Sequence, residues 1–171
     1  VTPPLPQSLE LLSASGIEVP DPAIRRVDYR SCLAVMAHLD GPTALPDGHR
    51  TVVDDTVAWL ADNKHKGTSA SHSLTIHSTP TFAAEHREDD PETWIRRLLD
   101  AAAPFLESGV TSATGHRWRY SEPMTVLDRG SIMLQESPPI VLAGEVFAGA
   151  KVEGAALSGL SAATLVSDLL S

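Results

Sequence analysis

The closing segment of the chain, from residue 140 onwards, constrains the fold more than any other part of the sequence. Residues 140–143 are a short apolar run of the kind that forms a buried strand, and a glycine-bearing loop with one carboxylate, Glu145, follows it. A helix rich in very small side chains is predicted next, among them Gly154, Ala155, Ala156, Ser158 and Gly159. Because these residues carry almost no side chain, the helix backbone can approach a ligand or another element very closely.

The start of this predicted helix has the chemistry of a binding site for an electron-rich group. The first turn of a helix has N–H groups without intrahelical partners, and the positive end of the helix dipole lies there. Glu145, directly after the strand, can accept hydrogen bonds from the hydroxyl groups of a cofactor. The alternative is that the small residues serve tight packing alone.

The order of these features resembles the C-terminal flavin-binding segment of the FAD-dependent amine-oxidase superfamily, and most closely its renalase-like bacterial branch. The matching residues are Ala143-Gly144-Glu145, Val152-Glu153-Gly154-Ala155 and Ser158-Gly159. In that family the acidic residue binds the ribityl chain, and the helix N-terminus faces the pyrimidine edge of the flavin ring. Glu145 stands where the family usually has Asp, so its side chain is one methylene longer. The resemblance implies FAD as the cofactor, with contacts from Gly144, Glu145, Val152, Glu153, Gly154 and Ala155.

Other parts of the chain extend the resemblance. Residues 1–7 resemble the end of a family strand followed by a proline-rich turn, and residues 59–67 and 115–123 resemble two further renalase-like signatures. No two glycines are separated by a single residue, so the Gly-x-Gly-x-x-Gly fingerprint that cradles the FAD pyrophosphate near the amino terminus of the family does not occur. We therefore expect a C-terminal fragment of a longer flavoprotein that lacks the N-terminal dinucleotide-binding unit.

Charge and composition argue against several classes of partner. The formal net charge of −9 disfavours nucleic acid and anionic membranes, because both favour clustered lysine and arginine. The one cysteine, Cys32, lies in an apolar run and is expected to be a buried thiol, which fits a reducing compartment. The sequence has neither an apolar run of membrane-spanning length nor a signal peptide, so we expect a cytoplasmic protein that binds a small-molecule substrate.

Hydrophobic periodicity and turn residues predict an α+β fold with a mostly antiparallel sheet and packed helices. Strands are predicted at residues 29–39, 52–53, 57–60, 73–77 and 116–120, and a short helix at residues 7–14. The clearest helix is predicted from Pro91 to about Phe105, with Asp90 as its cap and an apolar stripe that includes Trp94 and Leu98. On the resemblance, residues 17–135 form the substrate-binding domain. Residues 1–16 and 136–171 then belong to a Rossmann-like FAD-binding domain, to which they add the closing strand and helix.

The strand predicted at residues 116–120 carries candidate substrate contacts. Strict alternation places His116, Trp118 and Tyr120 on one face and Arg117 and Arg119 on the other. An aromatic face can stack on a flat heteroaromatic substrate, and an arginine at its rim can hold a phosphate. The alternative is a half-buried strand with aromatic packing and solvated arginines.

Asn63 and Lys64 are a second pair of candidate substrate contacts. They lie in a donor-rich turn that ends at Gly67 and can bind a carboxamide or a phosphate, and the alternative is a solvated loop. The seven histidines have none of the spacings of a helical zinc pair, so no metal site is predicted. The sequence assigns no catalytic residue.

These features predict part of a renalase-like FAD-dependent oxidoreductase, in which a hydride passes from a small substrate to the flavin and the electrons then pass to oxygen. A dihydronicotinamide is the favoured substrate, because an aromatic strand face beside basic residues suits a flat ring that carries phosphates. The alternative is a non-catalytic binding or structural domain without cofactor. Without the pyrophosphate-binding unit, the isolated chain is expected to be inactive.

Overall fold

The computed structural model describes residues 1–51 and 54–170. The helices are α1 (Leu5–Ala14), α2 (Pro22–Arg25), α3 (Pro80–His86), α4 (Pro91–Ala102), α5 (Glu145–Ala148) and α6 (Val152–Leu170). The strands are β1 (Tyr29–Leu39), β2 (His49–Thr51), β3 (Val57–Asp62), β4 (Ser73–Ser78), β5 (Val110–Pro123), β6 (Ile132–Glu136) and β7 (Pro139–Leu142). Two compact units result: a sheet unit of residues 31–119, and a terminal unit of residues 1–30 with the described residues from 120 onwards.

The sheet unit is built around a five-stranded sheet with the strand order β2-β3-β4-β1-β5. β4 pairs in antiparallel fashion with both β1 and β3, and β3 pairs in the same way with β2. His77 of β4 lies opposite Trp59 on one side and Ala34 on the other. The mixed fold with a mostly antiparallel sheet is thereby confirmed. The predicted substrate-binding domain, residues 17–135, contains the whole sheet unit, and its assignment to substrate binding stays a prediction.

One face of this sheet carries the core of the unit. Val35, Leu60 and Ile76 are fully buried there and pack with Trp94 and Leu98 of α4. Helix α4 begins as predicted, since the Asp90 carboxylate accepts a hydrogen bond from the Glu92 N–H at 2.8 Å. It gives way after Ala102 to a short 3₁₀ turn at Ala103–Phe105.

Helix α3 also packs on this face, although no helix is predicted for these residues from the sequence. The Thr79 hydroxyl caps α3 by accepting a hydrogen bond from the Phe82 N–H at 3.1 Å, and Pro80 takes the first helical position. Phe82 is buried in the same core. The Thr-Pro pair is therefore the local signal that starts this helix.

The terminal unit packs α1, α2 and α5 against the antiparallel hairpin of β6 and β7. Its core includes Leu5, Ile24, Leu142 and Phe147. The nitrogen of Val1 donates to the Val141 oxygen at 2.7 Å, and the Val1 oxygen accepts from the Ala143 N–H at 3.1 Å. This hydrogen-bond pattern is that of parallel strands, so the opening residue lies beside β7 with parallel polarity.

Several elements of the terminal unit differ from the sequence predictions. The loop predicted after residue 143 contains α5, a single turn bounded by Gly144 and Gly149, whose φ angles are 151° and 141°. β6 occupies residues for which no strand is predicted. α2 occupies residues for which no helix is predicted; it starts at Pro22, because the Asp21 carboxylate accepts a hydrogen bond from the Ala23 N–H at 2.8 Å.

The strand predicted at residues 52–53 lies outside the described residues, and β2 ends directly before it. Within the described ranges, no helix combines the length and the apolarity needed to cross a membrane.

Candidate functional site

The turn between β7 and α6 is fixed by backbone contacts. The Gly144 N–H donates to the hydroxyl of Ser158, a fully buried residue of α6, at 2.9 Å. Four residues before Ser158, on the same side of the helix, Gly154 is also buried. The inner stripe of α6, defined here as Gly154 and Ser158, therefore ties the helix to the end of β7.

Gly154 itself is required by packing within the chain. A Cβ atom added to Gly154 would lie 2.1 Å from the Gly149 oxygen and 2.6 Å from the Gly149 Cα, and both are backbone atoms that cannot swing aside. At Gly159, one turn and a half further along, an added Cβ would meet nothing within 4 Å. The fold therefore requires a glycine at position 154, whereas it leaves room for a side chain at position 159.

The first turn of α6 is open to solvent. Val152 is 87% exposed and Glu153 is also exposed, whereas Ala155 is half-buried and donates its N–H to the Lys151 oxygen at 3.0 Å. This turn combines free N–H groups with the positive end of a helix of 19 residues. These features favour an electron-rich group at this end of the helix.

Glu145, the predicted ribityl contact, lies beside Tyr29. The Tyr29 hydroxyl accepts a hydrogen bond from the Leu5 N–H at 3.2 Å. Burial raises the pKa of Tyr29 to about 12; the Leu5 N–H opposes this shift, and the charge and hydrogen bond of Glu145 add to it. The Glu145 carboxylate therefore lies close enough to the Tyr29 hydroxyl to influence it.

Tyr120, predicted to share a face with Trp118, belongs to the terminal unit. Its ring packs edge to face on Tyr29, with centroids 5.7 Å apart and planes at 74°. Tyr120 lies in the same strand, β5, as His116 and Trp118, and its role as a substrate contact stays a prediction.

The sheet has a second face, which we call the open face, on the side away from α4. A Cβ atom added to Gly115 would lie 2.2 Å from the Trp94 ring, so Gly115 points towards α4 and the alternating residues His116 and Trp118 point away from it. Cys32, Ala34 and Ala61 are buried but belong to neither hydrophobic core. Outside both cores, these small side chains form the floor of the open face.

Two pairs of rings stand on the open face. Trp59 and His77, paired across β3 and β4, have ring centroids 5.0 Å apart, and the Lys66 ammonium lies 5.5 Å from the Trp59 ring. His116 and Trp118 of β5 have centroids 4.3 Å apart, and Trp118 is 51% exposed. The open face therefore presents aromatic surface that the fold does not use for its own core.

His77 is neutral near pH 7. Burial lowers the pKa of its imidazole, and the positive charge of Lys66 lowers it further. A neutral imidazole offers one hydrogen-bond donor and one acceptor, so His77 can accept a proton or a hydrogen bond from a ligand on the open face.

Asn63 and Lys64 lie in the turn between β3 and β4. The Asn63 amide makes hydrogen bonds to the Thr75 hydroxyl at 3.1 Å, and the Lys64 ammonium lies 3.1 Å from His72 Nε2. Asp62 organises the turn by accepting hydrogen bonds from the Lys64 and His65 N–H groups, both at 2.9 Å. Burial alone would raise the pKa of Asp62, but these bonds and one from Thr43 outweigh it and lower the pKa.

The predicted substrate residues do not all come together. β4 and β1 lie between β3 and β5, so Asn63 and Lys64 are at least three strand spacings, roughly 14 Å, from His116 and Trp118. Sequence reasoning did not select Trp59 or His77 as site residues, although both are closer to the centre of the sheet. Among the residues the structure describes, no group of three or more His, Cys, Asp or Glu side chains is arranged to hold a metal ion.

Comparison with known proteins gives the family. Residues 1–167 match the family of flavin containing amine oxidoreductases. The chain belongs to this family. A crystal structure from Exiguobacterium sp. 255-15, provisionally assigned as a protoporphyrinogen oxidase, has a similar fold, with a TM-score of 0.59 and 12% sequence identity. The match covers 98% of this chain and 40% of that one, so this flavin amine oxidoreductase chain spans about two fifths of the solved protein's length. Comparison with curated proteins gave no match.

Membership in the flavin amine oxidoreductase family implies a flavin cofactor, and the closing segment fits such a group in part. The exposed first turn of α6 suits an electron-rich ring edge, since it offers N–H groups and a positive dipole end. Gly154 and Glu145, in contrast, are already engaged by Gly149 and Tyr29. The strongest fit is therefore to the backbone of the α6 first turn.

Proposed function

We propose that this chain supplies the substrate-facing sheet and the closing flavin contact of an FAD-dependent oxidoreductase of the renalase-like type. The observation that carries the proposal is the open face, where the pairs Trp59–His77 and His116–Trp118 stand over a floor of small side chains. β1 lies between β4 and β5, so the two ring pairs are about two strand spacings, roughly 10 Å, apart. A flat conjugated substrate of one or two rings fits such a space.

The chain's residues would bind and orient rather than carry out the redox step. The flavin, when bound, supplies hydride acceptance. The first-turn N–H groups of α6, from Val152 onwards, would hold the pyrimidine edge of the ring. On the open face, Trp118 and Trp59 would stack on a flat substrate and exclude water, and His77 would hold a substrate proton or hydrogen bond.

A dihydronicotinamide is the substrate we propose. Its ring is flat and its carboxamide can both donate and accept a hydrogen bond, which matches a neutral imidazole at His77. Lys66, over Trp59, places a positive charge at the rim of the same face. That charge suits the phosphate of a nicotinamide nucleotide.

The experiment titrates the complete flavoprotein that contains this chain, stripped of its flavin, with FAD and follows flavin fluorescence, then mixes the complex with a reduced nicotinamide nucleotide without oxygen. We expect FAD binding and bleaching of the oxidised-flavin absorbance. Val152→Pro removes one N–H group at the first helical position without breaking the helix, so it should weaken FAD binding, while Val152→Ala should not. Equal binding by these two variants would contradict the role of the α6 first turn. A complex that no dihydronicotinamide bleaches would contradict the proposed substrate.

A second candidate function is a binding or structural domain without cofactor. The observation that favours it is that Gly154 and Glu145, two of the predicted flavin contacts, have partners inside the chain. If the complete protein that contains this chain leaves flavin fluorescence unchanged up to saturating concentrations, and circular dichroism shows it folded, this candidate replaces the first.

A further inference from the structure

An arginine-rich cavity lies in the sheet unit, and Trp118 is the residue that it shares with the two ring pairs. Its charged lining comes from Arg87, Arg117, Arg119 and Glu88, and its volume is about 130 Å³. Ser31, Cys32, Leu33 and Trp118 complete the wall. Arg117 lies over the Trp94 ring at 5.7 Å, which places the charged side of the cavity towards α4.

The cavity has an excess of positive charge. Three guanidinium groups face one carboxylate, and the only ion pair among these four residues in the described structure is Arg87 with Glu88, at 3.4 Å. The local excess of two positive charges contrasts with the formal net charge of −9 of the whole chain. The side chain of Arg119 makes no hydrogen bond and no ion pair within the part of the chain that the structure describes.

Arg117 is held in place before any ligand arrives. One of its N–H groups donates to the Asp89 backbone oxygen at 2.6 Å, and its guanidinium packs on Trp94. A guanidinium has five N–H donors, so four remain. The Ser31 hydroxyl, in the same wall, makes no hydrogen bond to another described residue and adds a further donor.

Size and charge together specify the ligand. A volume of about 130 Å³ corresponds to about four water molecules at roughly 30 Å³ each, which suits a tetrahedral phosphoryl group. Guanidinium groups match phosphate oxygens in a bidentate fork, and a phosphomonoester carries nearly two negative charges near pH 7. We propose that this cavity binds the phosphate group of a small phosphomonoester.

This inference does not rest on the proposed oxidoreductase function, because the cavity needs no flavin. The test titrates the isotope-labelled chain with phenyl phosphate at constant ionic strength and follows backbone and arginine Nε–H resonances by NMR. We expect saturable shifts centred on residues 31–33 and 117–119. Arg117→Gln and Arg119→Gln should each weaken binding by about tenfold, the loss expected for one charge-assisted hydrogen bond.

The matched control is Arg96→Gln, an exposed arginine of α4 that does not line the cavity, and its affinity should equal that of the unaltered chain. Shifts that appear equally with chloride, or that Arg119→Gln leaves unchanged, would overturn the proposal. A second arm mixes the chain with vesicles containing phosphatidic acid. If the chain sediments with these vesicles through Arg119 but does not bind phenyl phosphate, the ligand is a membrane lipid and the small-molecule proposal is wrong.

Discussion

Replacement by alanine is expected to have opposite effects at the two glycines of α6, Gly154 and Gly159. Gly154 and Gly159 lie five residues apart in one helix, so both substitutions raise helix propensity by the same amount, about 1 kcal/mol. They differ in what the added methyl group meets. At Gly159 it meets nothing within 4 Å, whereas at Gly154 it lies 2.1 Å from the Gly149 oxygen.

The magnitudes follow from this difference. Gly159→Ala should raise the free energy of unfolding by about 1 kcal/mol, because only the propensity term acts. Gly154→Ala forces a backbone shift of about 1 Å. Gly149 cannot easily follow it, because its N–H donates to the Glu145 oxygen at 2.9 Å and its oxygen accepts from the Lys151 N–H at 2.8 Å. An overpacking cost of about 3 kcal/mol, less the propensity gain, leaves a loss of about 2 kcal/mol.

Thermal unfolding of the three proteins without flavin measures both effects. At about 2–4 °C per kcal/mol for a chain of this size, Gly159→Ala should raise the melting temperature by about 2–4 °C and Gly154→Ala should lower it by about 4–8 °C. Equal melting temperatures for the two variants would refute the distinction between an inner and an outer side of α6. A loss in Gly154→Ala that appeared only with bound flavin would show that Gly154 serves the cofactor rather than the fold.

Three further predictions concern the sheet unit. Trp118→Ala in the complete flavoprotein should slow flavin reduction in stopped-flow measurements but cost far less stability than the about 3–5 kcal/mol of a buried tryptophan, because Trp118 is half-exposed; insoluble protein would contradict this. Because burial lowers the pKa of His77 below 6.5, the unfolded chain takes up this proton first as the pH falls. Stability should therefore decrease below about pH 6.5, and His77→Gln should flatten that decrease in urea titrations. Asp62→Ala removes the acceptor of two N–H groups and the Thr43 hydroxyl and should cost about 3 kcal/mol; an unchanged urea midpoint would count against its role in the turn.

The elements that the sequence predicts well are those with local signals. β1 has an almost continuous apolar run and occupies residues 29–39 as predicted. α4 has a cap, a proline at its first position and a clear apolar stripe, so its start is predicted correctly at Pro91. α5 and β6 lack such signals, because the first is held between two glycines and the second is defined by its pairing with β7.

The open face was harder to predict because β3 is irregular. Val57 and Leu60 both point into the core, three residues apart, and the register of β3 against β4 shifts between Val57 and Trp59. Strict alternation from Val57 would send Trp59 into the core as well, but the irregularity turns it to the open face beside His77. The contact between Tyr120 and Tyr29 was not predicted for a different reason, since the two residues lie about ninety positions apart in sequence and no local pattern indicates that contact.

In the closing helix, α6, the same residues belong to the motif that resembles the family and to the packing of the fold. Gly154 and Ser158 lie four residues apart on the inner side, and both are explained by contacts with Gly149 and Gly144. Side-chain substitutions at these two positions are therefore expected to disturb the fold, so a loss of ligand binding in such variants would not identify a ligand contact. What the packing leaves free is the backbone of the first turn, beneath the exposed Val152. A cofactor contact there is made by N–H groups, so only a change that removes an N–H and keeps the helix, such as proline at the first position, separates binding from folding.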